Sequence, residues 1–204
     1  MIFPLDILKR NVHNYKLKTE EIQSISHILQ RAFMGYALTF FRATLEEDMS
    51  IDRVKKYFSK YGMEEKIIEF DVSSATVELA AKALGCEPGR IAKTLSFLVE
   101  DAPILIVSAG DVKIDNAKYK KTFGKKAKML TKEQVTELIG HAVGGVCPFA
   151  VNEGVTVYLD ESLKKYDTVF PACGSSNSAI ELTCEQLEKY SGYREWVDVC
   201  KAIQ

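Results

Sequence analysis

The segment Leu95-Ser-Phe-Leu-Val-Glu-Asp-Ala-Pro-Ile-Leu-Ile-Val-Ser108 contains two apolar runs, Leu95–Val99 and Ile104–Ser108, joined by Glu100-Asp-Ala-Pro103. Short apolar runs bounded by turn-forming residues are typical of buried strands. A short polar link between two such runs indicates a β-hairpin. The segment therefore predicts two neighbouring strands inside a sheet.

Helix and strand signals alternate irregularly on both sides of this hairpin. Upstream, a strand over Lys66–Phe70 precedes a helix that Ser73 or Ser74 could cap and that Gly85 ends. This order predicts a mixed α/β (α+β) sheet rather than a doubly wound one. Downstream, helices are predicted after the caps Asp115, Thr131 and Thr183, ending at Gly124, Gly140 and near Gly192, with strands at Val155–Leu159, Thr168–Ala172 and Ala179–Leu182.

Residues 1–48 differ from the rest of the chain. An apolar stripe recurs there at spacings of three and four residues, which predicts one amphipathic helix from Ile22 to Phe40. This helix could dock on the main domain or on a partner. Alternatively, Met49 is a natural start, Ser50 caps the next helix, and the preceding residues are dispensable. We therefore divide the chain into an N-terminal helical extension (1–48) and a domain (49–204).

The composition and the net charge of the chain exclude several classes of protein. The chain has 204 residues, 47% hydrophobic and 27% charged, which is typical of a globular protein. Its formal net charge of -1 means that any nucleic-acid contact needs a local basic patch. The N-terminus lacks a signal-peptide pattern, and the longest apolar stretch, Ala32–Phe41, is too short to cross a membrane. Five cysteines without a C-x-x-C pair indicate no disulfide framework, so we expect a reduced, cytoplasmic protein.

Familiar catalytic motifs are absent from the sequence. It contains no phosphate-binding P-loop, no G-x-G-x-x-G turn and no G-x-S-x-G elbow. Its three histidines are scattered, whereas a zinc site needs clustered ligands. Cys147 and His141 are the one thiol–imidazole pair that is close in sequence. They could form a cysteine hydrolase, or Cys147 could be a small buried thiol.

Two features are candidates for chemistry. Lys93 lies at the entrance of an apolar strand, where its ammonium either faces a cleft or is simply solvated. In Gly144-Gly-Val-Cys-Pro148, the paired glycines allow close approach of the backbone to a ligand and the proline stiffens the loop. Backbone N–H groups in such a loop could orient a substrate carbonyl or stabilise an oxyanion, or the loop could be an ordinary turn.

Five segments follow one another along the chain in a recognisable order: Ser74-Ala-Thr-Val-Glu-Leu-Ala-Ala-Lys-Ala-Leu-Gly85, Ile91-Ala-Lys-Thr-Leu95, Ile114-Asp-Asn-Ala-Lys118, Gly144-Gly-Val-Cys-Pro148 and Ala179-Ile-Glu-Leu182. Together they resemble the YbaK family, the aminoacyl-tRNA editing domains found inserted in or associated with bacterial prolyl-tRNA synthetases. The resemblance extends from about Glu64 to Gly192 and implies a central mixed, barrel-like sheet with flanking helices around a pocket for the aminoacyl end of tRNA.

The resemblance implies a trans-acting deacylase that hydrolyses the ester of mischarged aminoacyl-tRNA, on tRNA-Pro or a related tRNA. It implies that water or a substrate group attacks, without metal, cofactor or protein nucleophile. Its partners would be the acceptor end of tRNA and an aminoacyl-tRNA synthetase, with no DNA or membrane. The alternative is a non-catalytic YbaK-like module that binds tRNA or a synthetase. The catalytic residues implied are Lys93, Gly144, Gly145 and Pro148.

One departure from the family concerns the amino acid removed. Relatives that clear cysteine from tRNA-Pro commonly carry aspartate just before Ile-Glu-Leu, where this chain has Ala179. The segment Gly174–Ser178 supplies small polar groups suited to alanine, serine or threonine, or it is a hairpin turn. Six lysines between Lys118 and Lys128 either contact tRNA phosphates or form a solvated face. The substrate-binding residues predicted are Thr94, Ser108, Lys118, Gly174, Ser175, Ser176 and Asn177.

Overall fold

A computed structural model describes residues 49–203 of the chain. Residues 49–59 are helical and are called α1 here. The other helices are α2 (Val77–Leu84), α3 (Asn116–Phe123), α4 (Lys132–Gln134, continued by a π-helical turn over Val135–Ile139) and α5 (Cys184–Ser191). Short 3-10 turns lie at Glu64–Lys66, Pro88–Arg90 and Glu161–Lys165.

A mixed six-stranded sheet, which curls into a half-barrel, forms the centre of the domain. The strands of the domain are β1 (Ile67–Glu69), β2 (Ile91–Val99), β3 (Ala102–Ala109), β4 (Val112–Ile114), β5 (Thr156–Asp160), β6 (Thr168–Pro171), β7 (Ser178–Ile180), β8 (Leu182–Thr183), β9 (Glu195–Val197) and β10 (Cys200–Ala202). The strand order in the central sheet is β8-β6-β2-β3-β5-β9, and β1–β7 and β4–β10 are separate antiparallel pairs. The mixed α/β fold predicted from the sequence is confirmed.

The predicted hairpin is formed by β2 and β3. Val99 lies opposite Ala102, so the link is only the two residues Glu100 and Asp101. Their φ angles are 49° and 67°, the pair of left-handed conformations that matches the twist of a two-residue hairpin. Pro103 belongs to β3, opposite Leu98, and not to the loop expected from the sequence.

Capping residues fix most helix ends where the sequence predicts them. The Asp115 carboxylate accepts from the backbone N–H groups of Ala117 and Lys118, and Thr131 and Thr183 each form a capping box. Two expectations were wrong. Thr76, rather than Ser73 or Ser74, caps α2, and Ser50 lies inside α1 rather than at its N-cap. The helix predicted over Ile22–Phe40 and the extension 1–48 lie outside the described residues.

Two buried clusters hold the domain together. In the larger one, the Phe58 ring of α1 lies 4.8 Å from the Phe149 ring, centroid to centroid, and 5.5 Å from that of Tyr190. The smaller cluster packs Ala80 and Ala81 of α2 against strand residues that include Ala179. This packing holds α2 against the sheet beside the start of β2.

We expect the combined change Glu100→Asn and Asp101→Gly to raise the free energy of unfolding by about 1 kcal/mol, because these residues adopt positive φ with less strain. The exposed ion pair between Lys125 and Glu100 (3.5 Å) is lost in this variant but contributes little. Urea unfolding followed by circular dichroism measures the change. As a control, Asp101→Ala removes the charge without relieving the positive φ, so it should not stabilise. Unaltered stability of the double variant would contradict the turn assignment.

Candidate active site

Lys93 lies near the start of β2, and its half-buried side chain reaches the turn that follows β3. Its ammonium donates to the carbonyl of Val112 and, over 3.2 Å, to that of Gly110. Within residues 49–203 these are its hydrogen-bond partners, so one of its three N–H donors is left over. Burial lowers the pKa of Lys93 below its ordinary 10.5, opposed by nearby acidic groups. Of the two alternatives that the sequence left open, the structure does not show a simply solvated Lys93, and a cleft that receives its ammonium stays a prediction.

The register of β2 and β3 separates two of the predicted binding residues. Ser108 lies opposite Lys93, on the same face of the sheet. Thr94 pairs with Val107, and its side chain lies on the opposite face because successive strand residues alternate. The structure therefore places Ser108, but not Thr94, beside Lys93. Both hydroxyl oxygens are buried; that of Thr94 has no hydrogen-bond partner in the part of the chain that the structure describes, and that of Ser108 lies beside the Cys200 thiol.

The loop Gly144–Pro148 packs against the segment that begins at Gly174. A Cβ added to Gly145 would lie 2.4 Å from the Gly174 carbonyl carbon and 2.5 Å from the Ser175 nitrogen, so a side chain cannot fit there. Gly144 has a φ of +98°, a conformation that favours glycine. Pro148 is buried. The fold thus brings together the two glycine-containing segments that the sequence indicated separately.

The segment Gly174–Asn177 is held by hydrogen bonds among its own polar groups, to the adjoining Ser178 and to the residues that follow β1. The Ser175 hydroxyl oxygen lies 2.9 Å from Asn177 Oδ1 and 2.7 Å from Ser178 Oγ. The Asn177 amide donates to the Phe70 carbonyl over 2.8 Å, and the Ser176 carbonyl accepts from the Ser74 N–H. Ser175 and Asn177 therefore shape this segment. A cleft of about 360 Å³ lies between residues 71–73 and 175–177.

The start of α2 adjoins both Lys93 and the glycine loop. A Cβ on Gly144 would lie 3.5 Å from the Ala75 Cβ. A Cβ on Gly110, whose carbonyl accepts from Lys93, would lie 2.7 Å from a methyl of Val77. Gly110, which holds Lys93, and the loop therefore border the same short stretch, Ala75–Val77, although no hydrogen bond among residues 49–203 joins Lys93 to the loop directly.

The lysine-rich segment is not part of this group. Lys118 donates to the Asp198 carboxylate over 2.6 Å and to the Cys200 carbonyl over 3.0 Å. Lys125 pairs with Glu100. The remaining lysines of this segment are exposed, namely Lys120, Lys121, Lys126 and Lys128.

Cys147 and His141 are neighbours in a fully buried site. The Cys147 N–H donates to His141 Nδ1 over 3.2 Å, and the thiol sulfur lies 3.4 Å from the same nitrogen. Nδ1 is therefore an acceptor, and the ring proton lies on Nε2. Burial raises the pKa of Cys147 to about 12 and lowers that of His141 to about 4. Both groups are neutral near pH 7, whereas a thiol nucleophile needs the thiolate, so this geometry argues against a cysteine hydrolase.

The sequence patterns did not point to Asp111 or Tyr166. The Tyr166 hydroxyl donates over 3.0 Å to Asp111 Oδ2, and Asp111 lies between the two residues whose carbonyls hold Lys93. Gly110 alone could suggest a turn after β3. No sequence pattern links that turn to Tyr166, which lies 55 residues beyond Asp111 along the chain.

Residues 49–203 contain neither a metal-binding cluster nor a membrane-spanning helix. No group of three or more His, Cys, Asp or Glu side chains is arranged to hold a metal ion. None of the helices described is long and apolar enough to cross a membrane. All five cysteines, which lie within the described residues, are free.

Comparison with known proteins identifies the family. The sequence profile of the aminoacyl-tRNA editing domain matches residues 72–190. The chain belongs to the aminoacyl-tRNA editing domain family. The matched residues of this editing domain include Lys93, the loop Gly144–Pro148 and the segment from Gly174. The predicted YbaK resemblance is therefore confirmed.

Individual relatives agree with this assignment. The chain is 54% identical over 154 residues to the uncharacterised protein YwhH of Bacillus subtilis, covering 75% of this chain and 98% of that protein. It is 31% identical over 114 residues to a candidate Cys-tRNA(Pro)/Cys-tRNA(Cys) deacylase of Enterococcus faecalis, covering 55% of this chain and 70% of that protein. The crystal structure of a candidate trans-editing enzyme for prolyl-tRNA synthetase matches with a TM-score of 0.68 and 32% identity, over 75% of this chain and 98% of that one.

We expect His141 to lower the free energy of unfolding by about 3 kcal/mol between pH 7 and pH 4. Its folded pKa of about 4 lies below the ordinary 6.5, because burial disfavours the charged ring. Between these values the unfolded chain binds the additional proton, so stability is lost as the pH falls through this window. Urea unfolding from pH 7 to pH 4 measures it. His141→Gln, which does not titrate, should flatten the dependence, and an equally steep loss in this variant would contradict the prediction.

Proposed function

We propose that this editing-domain protein is a trans-acting aminoacyl-tRNA deacylase that hydrolyses the ester of mischarged tRNA, with tRNA-Pro or a related tRNA as substrate. The observation that carries the proposal is the Lys93 ammonium, held half-buried by two backbone carbonyls with one N–H left for a substrate atom. The family assignment and the names of the relatives support the same reaction.

An aminoacyl ester is already activated, so orientation and charge stabilisation can supply most of the rate enhancement. In the proposed reaction, water attacks the ester carbonyl carbon, the bond to the ribose oxygen breaks, and that oxygen takes the proton that the attacking water gives up. The free N–H of Lys93 would donate to the carbonyl oxygen as negative charge develops on it. The loop Gly144–Pro148 would lie along the ester with the N–H groups that the protein itself does not use, since those of Gly145 and Cys147 donate to the Ala142 carbonyl and to His141 Nδ1.

We propose that the amino acid removed is small, such as alanine, serine or threonine. Ala179 is 4% exposed and packs in the smaller core cluster, so it contributes a buried methyl rather than a carboxylate. This supports a substrate other than cysteine. Ser176 and its neighbours would line the amino-acid side of the site, since they lie beside Gly144 and form one wall of the cleft.

Three further assignments accompany this function. The exposed lysines of α3 and the following segment would contact tRNA phosphates, which makes binding weaker at high salt. Residues 1–48 would not be needed for hydrolysis, because the family match covers only residues 72–190. The reaction would take place in the cytoplasm, where tRNA is charged, with an aminoacyl-tRNA synthetase as a possible partner.

We expect Lys93→Ala to lower kcat/KM about 100-fold or more, because the donor to the developing oxyanion is lost. Lys93→Arg should restore only part of the rate, since a planar guanidinium differs from a compact ammonium. Hydrolysis of a panel of mischarged tRNAs by the full chain measures both. Lys113→Ala, an exposed lysine on β4, is the matched control and should act like the wild type.

The outcomes of this experiment separate the two candidate functions. Near-normal turnover by Lys93→Ala would remove the proposed mechanism. A wild-type protein that binds the tRNAs but hydrolyses none of them would favour the non-catalytic module.

We expect Gly144→Val to abolish most deacylation, because the side chain would occupy the approach to the ester and lie against Ser176, whose Cβ is 3.3 Å from a Cβ at this position. Gly154→Val is the matched control, since Gly154 also has a positive φ (+86°) but nothing lies within 4 Å of a Cβ there. Cys147→Ser should retain most activity. If Cys147→Ser were inactive and Gly144→Val active, the cysteine hydrolase would be the better interpretation.

A further inference from the structure

We propose that Asp111 and Tyr166 form a positioning pair that fixes the turn Gly110–Val112 and thereby holds the Lys93 ammonium in place for the reaction. The inference rests on the proposed function in one respect, since that function gives Lys93 its role at the ester. Neither residue touches the substrate in this proposal. Both act through Lys93.

The pair acts on the residues that hold Lys93. Asp111 is the middle residue of the turn, and the carbonyl groups on either side of it, from Gly110 and Val112, accept from the ammonium. The Tyr166 hydroxyl reaches Asp111 Oδ2 from the end of the Glu161–Lys165 turn, over 3.0 Å. The hydrogen bond therefore ties the Lys93 site to an element far away in sequence.

Two glycines let these parts pack without a gap. A Cβ on Gly110 would lie 2.1 Å from the Pro88 carbonyl oxygen, and a Cβ on Gly89 would lie 1.8 Å from the Tyr166 hydroxyl. The Gly110 N–H also approaches the Gly89 carbonyl, over 3.4 Å. The turn is thus enclosed by the Pro88–Arg90 turn and by Tyr166, which leaves it little freedom to move.

The charge of Asp111 also acts on Lys93. The groups whose electrostatic interaction with the ammonium opposes the lowering of the Lys93 pKa by burial are Cys200 of β10, Asp111, Glu78 of α2 and Asp160 at the end of β5. Of these, Asp111 lies within the turn that binds the ammonium. Burial raises the pKa of Tyr166 to about 12, so its hydroxyl stays protonated and donates near neutral pH.

Asp111→Asn tests the pair, because asparagine can still accept from Tyr166 but carries no charge. The pH dependence with which an amine-reactive reagent labels Lys93, read by mass spectrometry on the full chain, reports the Lys93 pKa without any substrate. We expect this pKa to fall in Asp111→Asn, because a negative charge that favours the ammonium is removed. Asp101→Asn is the matched control, since Asp101 lies in the turn at the far end of the same hairpin, and it should leave the Lys93 pKa unchanged.

Deacylation kinetics supply the second measurement. The decline of kcat/KM at high pH should move to lower pH by the same amount in Asp111→Asn, because less of Lys93 is protonated. Tyr166→Phe keeps the charge but releases the carboxylate, so we expect a several-fold lower kcat with a smaller change in the labelling profile. This variant also carries the test if Asp111→Asn does not fold, which circular dichroism shows.

The outcomes are distinct from those of the proposed function. An unchanged labelling profile in Asp111→Asn, or a shifted one with no change in the rate profile, would overturn the positioning role. Full activity of Lys93→Ala would instead overturn the proposed function, while the labelling profile would still show whether Asp111 acts on the ammonium.

Discussion

The antiparallel register between β2 and β3 is the constraint on which the candidate active site depends. Side chains alternate along a strand, so a slip of one residue would move Lys93 to the other face of the sheet. The pairing runs from Ala92 opposite Ala109 to Val99 opposite Ala102. The end of β3 therefore lies beside Lys93. There the turn at Gly110 presents its carbonyl to the ammonium. The start of β2 also pairs with β6, and the chain continues from the end of β6 to Gly174. The strand β2 therefore positions both Lys93 and the segment that begins at Gly174.

Contacts between backbones determine how closely these parts approach each other. Gly145 lies against Gly174, and Gly174 lies against α1, where an added Cβ would be 2.7 Å from the Ser50 carbonyl oxygen. Gly110 lies in the same way against the Pro88–Arg90 turn. At each of these positions a side chain would separate two segments that must touch. The glycines therefore serve the packing of the site as well as any contact with an ester, and substitutions there need a control such as Gly154.

Burial sets the chemistry available to each ionisable group. It keeps the thiol of Cys147 and the imidazole of His141 neutral, although the two are adjacent. Lys93 is buried to a lesser degree, and acidic groups on several elements oppose the effect of burial on its pKa. A cationic donor is thus available where the neutral Cys147–His141 pair offers no nucleophile. This contrast fits a reaction in which water, and not a protein side chain, attacks the substrate.

Local signals in the sequence determined the helix caps, the central hairpin and the segments that define the family. Thr131, Thr183 and Asp115 form the expected caps because capping depends only on residues within one turn. Local capping rules could not choose Thr76 over Ser73 and Ser74, because the residue at which α2 begins depends on how the helix packs on the sheet. They placed Lys93 and Gly144 in separate motifs and did not find the pairing of Tyr166 with Asp111. Only the tertiary structure decided these points, because contacts between distant segments depend on strand register and on which backbones can touch, and neither is encoded in a short window of sequence.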